Sequence, residues 1–153
     1  MNFLEKDLES IIFDSFGCLR AKESLIQRGL KFLDSDDRNL ICKRQLSIKG
    51  AGIADLVMFQ RNPYERDHIH FHVVELKRGV VDNKSVYQCH RYTEGIWKYL
   101  EERGIKNTSG ATVIGNRVST NFRKTEIGEI GYIDTMYYTY NFNGILFHKV
   151  SID

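Results

Sequence analysis

The sequence predicts an α/β domain in which a mixed central β-sheet is flanked by helices. Three observations carry that prediction. Two segments with helical spacing come first, three β-rich segments then follow one another across turn residues, and a long amphipathic segment separates these from further strand-like sequence.

A first helix is predicted over residues 3–16, where Leu4, Leu8, Ile11, Ile12 and Phe16 recur on one face. A second, over 21–33, carries Leu25, Leu30 and Leu33 but is interrupted by Gly29, which weakens a helix interior. Asp34-Ser35-Asp36-Asp37 then reads as a loop. Residues 40–48 suit a strand, Lys49-Gly50-Ala51-Gly52 supplies a tight turn, and 53–59 makes the second arm of a hairpin. The only proline lies in the polar stretch Arg61-Asn62-Pro63-Tyr64-Glu65-Arg66-Asp67, a turn into a third strand over 69–76, so strands two and three are expected to be neighbours. Asp82 is placed to cap a long helix that Gly104 would end in a left-handed stop, with Val86, Cys89, Ile96 and Leu100 facing inward. Residues 111–114 read as a short apolar strand, and 130–140 with 145–150 as a closing hairpin around Asn141-Phe142-Asn143-Gly144. No repeat or linker interrupts this order, and 153 residues fit a single domain spanning 1–153.

Hydrophobic residues at 42% and charged residues at 27% are ordinary for a soluble protein, and no apolar run approaches the ~18–20 residues of a membrane span, so no membrane partner is expected. The first nine residues place Glu5, Asp7 and Glu9 where an export signal has a basic region and an apolar core. Cys18, Cys42 and Cys89 are odd in number, lack a Cys-X-X-Cys spacing and read as small buried hydrophobes. An intracellular, cytoplasmic location follows as the expectation. A net charge of +2 does not identify a nucleic-acid partner, because the placement of charge matters more than its sum. Lys43/Arg44, Lys77/Arg78 and Arg117/Arg123/Lys124 are positioned to flank a phosphate path, although each cluster singly is most simply a solvated surface.

The chemistry gathers where the second and third strands meet. Strand side chains alternate, so Glu75 and Lys77 project from one face, and a hairpin partner brings Asp55 alongside them. Two carboxylates at a strand end, with the main-chain carbonyl of Leu76, form an oxygen set for a hard cation such as Mg²⁺ or Mn²⁺. A lysine beside that cation orients or helps deprotonate a water and offsets negative charge on a phosphate. Taken singly, Glu75 and Lys77 are an exposed pair and Asp55 a turn residue. Together, a Glu-X-Lys in an apolar strand is too costly to be casual. On the following helix Gln88 and Tyr92 lie four apart on one face, with Tyr99 further along that side.

In order, Gly52-Ile53-Ala54-Asp55-Leu56, Val73-Val74-Glu75-Leu76-Lys77-Arg78-Gly79 and Gln88-Cys89-His90-Arg91-Tyr92 resemble the PD-(D/E)XK nuclease superfamily. The Gln-X-X-X-Tyr element is most similar to mismatch endonucleases of the EndoMS/NucS type and to nuclease domains of recombination exonucleases. The resemblance covers residues 1–99 and implies a restriction-endonuclease-like core, an αβββαβ order with an extra N-terminal helix and a C-terminal hairpin. It implies metal binding by Asp55 and Glu75, a water-assisting Lys77, and Gln88 and Tyr92 at the site edge. A glutamate from the N-terminal helix completes the family's site, with Glu5 the first choice and Glu9, one turn on, the alternative. Ala54 stands where the family's proline would be, Cys89 takes a position that is usually aliphatic, and the chain is too short to hold the separate DNA-binding region of the mismatch enzymes.

The expected activity is metal-dependent hydrolysis of DNA, as an endonuclease of repair, recombination or defence. A homodimer is compatible with this, since one such site cuts one strand. Two other classes stay open: a catalytically silent nuclease fold that binds nucleic acid or protein, and a structural subunit of a larger assembly. His68, His70 and His72 alternate on one strand face, expected to be a solvated hairpin edge rather than a metal site. The aromatic run through Tyr132 and Met136-Tyr137-Tyr138-Thr139-Tyr140 suits either base stacking or alternation through a sheet.

Overall fold

A computed structural model describes residues 5–33, 40–119, 132–142 and 144–150. Helices α1 (Glu5–Ser15) and α2 (Leu19–Gln27) lead into strands β1 (Leu40–Ile48), β2 (Gly52–Arg61) and β3 (His68–Leu76). A short β4 (Val80–Val81) precedes the long α3 (Asn83–Glu102), followed by β5 (Lys106–Gly115), β6 (Arg117–Val118), β7 (Asp134–Asn141) and β8 (Gly144–Lys149). Six strands form one sheet in the order β1-β2-β3-β5-β7-β8. The β1–β2, β2–β3 and β7–β8 pairs are antiparallel, and β3–β5 and β5–β7 are parallel. The fold is therefore α/β, a mixed sheet with α3 covering one face and α1 and α2 the other.

Alternation along the strands divides the core in two. Val57, Phe71, Val73 and Val113 meet Val86, Cys89, Tyr92 and Ile96 of α3, while Leu56, Val74, Leu76 and Ile114 meet Leu8, Ile12 and Leu25 from the first two helices. Helix α3 starts where Asp82 Oδ1 accepts the Ser85 N–H at 2.9 Å and Ser85 Oγ accepts the Asp82 N–H at 3.0 Å, a reciprocal cap worth about 1 kcal/mol. It stops at Gly104, whose φ of 70° lets the Ile105 N–H turn back to the Leu100 carbonyl.

Several boundaries differ from the sequence reading. Helix α2 begins earlier than residue 21 and ends at Gln27, because the chain turns at Gly29 and the Phe147 N–H of β8 bonds the Arg28 carbonyl at 2.8 Å. Leu30 and Leu33 are still buried, from the turn beyond the helix. Strand β5 reaches back to Lys106, well before the expected 111, because its polar first half pairs in register with His68–His72. The histidine strand is consequently interior to the sheet, between β2 and β5, and not a hairpin edge. His72 stacks on Phe32 at 5.1 Å, bonds Thr112 through Nε2 at 2.7 Å and crowds Gly110. Its basicity falls to about 3, through burial first and then the neighbouring His70. Cys18 is exposed and Cys42 only partly covered, so of the three thiols Cys89 alone is a buried hydrophobe. Met136 and Tyr138 face the core while Tyr137 stacks on His148, so alternation accounts for most of that aromatic run. The expected loop over 34–37, Arg123, Lys124, residues 130–131 and Asn143 lie outside the described residues. Among the described residues no helix is long and apolar enough to cross a membrane.

Candidate active site

The β2–β3 ladder pairs Leu56 with Val74 and goes no further. Asp55, the next residue of β2, substitutes its side chain for the missing main-chain partner. Its Oδ2 accepts the Leu76 N–H at 2.8 Å. Because the N–H and C=O of one strand residue point to the same side, the Leu76 carbonyl faces this gap as well. On its other side β3 stays in register with β5 through Leu76 and Ile114, and the Lys77 N–H bonds the Ile114 carbonyl at 2.7 Å. The strand end is thus anchored by β5 and opened by β2.

Glu75 continues the face of Phe71 and Val73 beneath α3, and it is 5% exposed. Lys77, two residues on, donates from Nζ to Gln88 Oε1 at 3.3 Å, and Gln88 Nε2 donates to the Tyr92 hydroxyl at 2.6 Å. The helical four-residue spacing is what lets one amide link the lysine to the tyrosine. Tyr92 is buried, and a Cβ placed on Gly52 would lie 3.3 Å from its Cε1, so the glycine of the β1–β2 turn accommodates the ring. Burial, then the charge of Glu75, raises the Tyr92 hydroxyl above its ordinary value. The buried Cys89 thiol is likewise raised by burial, then by Glu75 and Asp55, with Lys77 opposing. Both carboxylates and the lysine therefore act on the same turn of α3.

A further carboxylate arrives from α1. Glu9 is buried; its Oε1 accepts from Gln45 Nε2 at 2.8 Å, and the same amide nitrogen reaches Asp55 Oδ1 at 3.2 Å. Arg44 lies 3.5 Å from Glu9 Oε2, donates to Ser10 Oγ at 3.0 Å and rests on the Phe13 ring at 5.0 Å. Lys6, Glu9, Arg44, Gln45 and Asp55 line a cavity of about 430 Å³.

The sheet and α3 thus bring together Asp55, Glu75, Lys77, Gln88 and Tyr92, and α1 adds Glu9. Glu5 opens α1, but its side chain lies outside the described residues. Tyr99 is exposed and stacks with Arg103 at 3.5 Å, away from this chain of contacts. Gln45 escaped the sequence reading because nothing in Lys43-Arg44-Gln45-Leu46 marks a kink, yet its φ is +47°, the one positive value at a non-glycine among the described residues. Among the described residues no three His, Cys, Asp or Glu side chains converge as a ready metal cage. The oxygen donors at this strand end are Asp55 and Glu75, whose charges both act on Cys89 and Tyr92, with the Leu76 carbonyl on the β2 side. An all-oxygen set suits Mg²⁺ or Mn²⁺, which retain waters, better than zinc, whose sites are built mainly on nitrogen and sulfur. The sequence matches no protein-family model, no curated protein and no solved structure.

Proposed function

We propose that this chain is a metal-dependent deoxyribonuclease with a restriction-endonuclease-like core. The observation that carries the reading is the strand end itself. Asp55 takes over the Leu76 N–H where the β2–β3 ladder stops, beside a buried Glu75 and a Lys77 tied through Gln88 to Tyr92. Asp55, Glu75 and the Leu76 carbonyl would hold Mg²⁺ or Mn²⁺, which lowers the pKa of a bound water and offsets charge on a phosphodiester. Lys77 would orient a water and balance the negative charge that develops on the phosphate, its ammonium group held by the Gln88 side-chain carbonyl. Glu9 adds acid on the α1 side, and Lys6 and Arg44 supply the positive rim that a nucleic-acid backbone requires. The product of such a site is one cut strand, so a duplex break requires two protomers or two encounters.

The test is cleavage of single-stranded, duplex and branched DNA with and without Mg²⁺ or Mn²⁺. Cleavage is expected only with metal and is expected to fall by about 100-fold or more in Glu75→Ala and Lys77→Ala. Full activity in either variant rejects the assignment. A second reading, a silent nuclease fold that binds nucleic acid or protein, draws on the Gln45 amide, which already satisfies Glu9 and Asp55. It requires DNA binding without metal dependence and no turnover of any substrate.

A further inference from the structure

Asp55 has two carboxylate oxygens and both are engaged. Oδ2 takes the Leu76 N–H, a bond that fixes β3 against the end of β2, and Oδ1 takes the Gln45 amide nitrogen. That nitrogen also holds Glu9 Oε1 at 2.8 Å, so its two hydrogens lie between two carboxylates that would otherwise face each other across the cavity. Partial positive charge is most favoured at such a point. A cation ligated by Asp55 through its cavity-facing oxygen must therefore compete with the amide of Gln45.

The backbone of Gln45 fits such a displaceable part. Strand β1 pairs Arg44 with Leu56 and Leu46 with Ala54, and Gln45 lies between these pairs, opposite Asp55. A φ of +47° at a non-glycine persists only when its surroundings hold it, and here the visible hold is the pair of bonds to Glu9 and Asp55. Gln45 is an exposed residue, so its side chain has solvent to move into.

We propose that Gln45 is a positioning residue whose amide NH₂, held between Glu9 and Asp55, occupies the position on Asp55 Oδ1 that the cation takes, and leaves when the cation binds. The inference rests on the metal-site reading given above, but not on what the site cleaves. In the metal-free chain the amide suppresses repulsion between the carboxylates and keeps Asp55 aimed at Leu76. Metal binding exchanges that amide for a full charge, and the kinked β1 releases it.

Isothermal titration of the full chain with Mn²⁺, compared with Gln45→Met and Gln45→Glu, tests this, with thermal unfolding of each metal-free protein alongside. Gln45→Met removes the competing donor, so it is expected to melt lower without metal and to bind Mn²⁺ several-fold tighter. Gln45→Glu replaces the donor with a third carboxylate and is expected to tighten Mn²⁺ binding further, and it decides the matter if Gln45→Met does not fold. Weaker or unchanged Mn²⁺ binding in both variants overturns the proposal, as does a wild-type chain that binds no Mn²⁺, which overturns the metal site with it. Tighter binding in the variants without DNA cleavage by the wild type retains this proposal and rejects the nuclease reading. Cleavage by the wild type with unchanged Mn²⁺ affinity in the variants does the reverse.

Discussion

Replacing Gly52 by alanine tests the link between the β1–β2 turn and helix α3. Gly52 has a φ of +122°, a backbone region closed to residues with a Cβ, and the added methyl would sit 3.3 Å from Tyr92 Cε1 and 3.5 Å from its hydroxyl. Backbone strain of this kind costs about 1–3 kcal/mol. The ring is buried and cannot yield freely, so about 2 kcal/mol is the working figure, and the melting temperature of a domain this size falls by about 4–8 °C. The displacement does not end at the ring, because the Tyr92 hydroxyl holds Gln88 and Gln88 holds Lys77 Nζ. A misplacement of ~1 Å at a reacting group costs on the order of 100-fold in rate, so the few tenths of an ångström forced here are expected to cost up to about tenfold in kcat. Thermal unfolding followed by circular dichroism measures the first effect, and single-turnover cleavage the second. A Gly52→Ala protein that melts like wild type and cuts at the same rate refutes both the turn geometry and the relay from Tyr92 to Lys77.

Other consequences follow from the same contacts. His72 is held neutral in the folded chain, its pKa lowered from 6.5 to about 3, whereas the unfolded chain takes up a proton below 6.5. Stability is therefore full above pH 6.5 and falls as the pH drops toward 3, by up to about 1.4 kcal/mol per pH unit. Urea unfolding at pH 7 and pH 5 measures this, and His72→Asn is expected to flatten the dependence. Cys18 is exposed, Cys89 is fully buried with its thiol pushed up, and Cys42 is pushed up to about 12 by burial. Iodoacetamide at pH 8 is accordingly expected to add one label to the native chain, at Cys18, as read by peptide mass. Asp82→Ala removes one half of the α3 cap and is expected to cost about 1 kcal/mol in a thermal melt.

Much of the scaffold was legible because local chemistry and tertiary demand agree at the decisive residues. Asp82 caps and Gly104 stops α3 as their side chains and backbone freedom require, and the spacing of Val86, Cys89, Ile96 and Leu100 names its buried face. Alternation likewise put Glu75 and Lys77 on one side of β3 with Asp55 next to that strand end. What escaped depends on partners distant in sequence. Lys106–Gly110 has neither apolar alternation nor β-branched density, and becomes a strand only because β3 offers it a parallel ladder. Helix α2 ends early because β8 docks against Arg28, more than a hundred residues away. Lys22 is wholly buried in α2, over the Phe16 ring at 5.8 Å, although lysine is among the residues least expected in a core. Gln45 is the most consequential omission, since the kink that aims its amide at Glu9 and Asp55 has no signature in the residues around it.

A cation bound by Asp55 and Glu75 would sit at one position, the gap between the ends of β2 and β3. Crystals of the chain grown with Mn²⁺, with anomalous scattering recorded at the manganese edge, examine that position directly. A manganese peak is expected at about 2.1 Å from Asp55 Oδ1 and from a carboxylate oxygen of Glu75, with the Gln45 amide withdrawn. A saturated crystal with no manganese there, or with manganese only on the histidines of β3, contradicts the metal-site assignment.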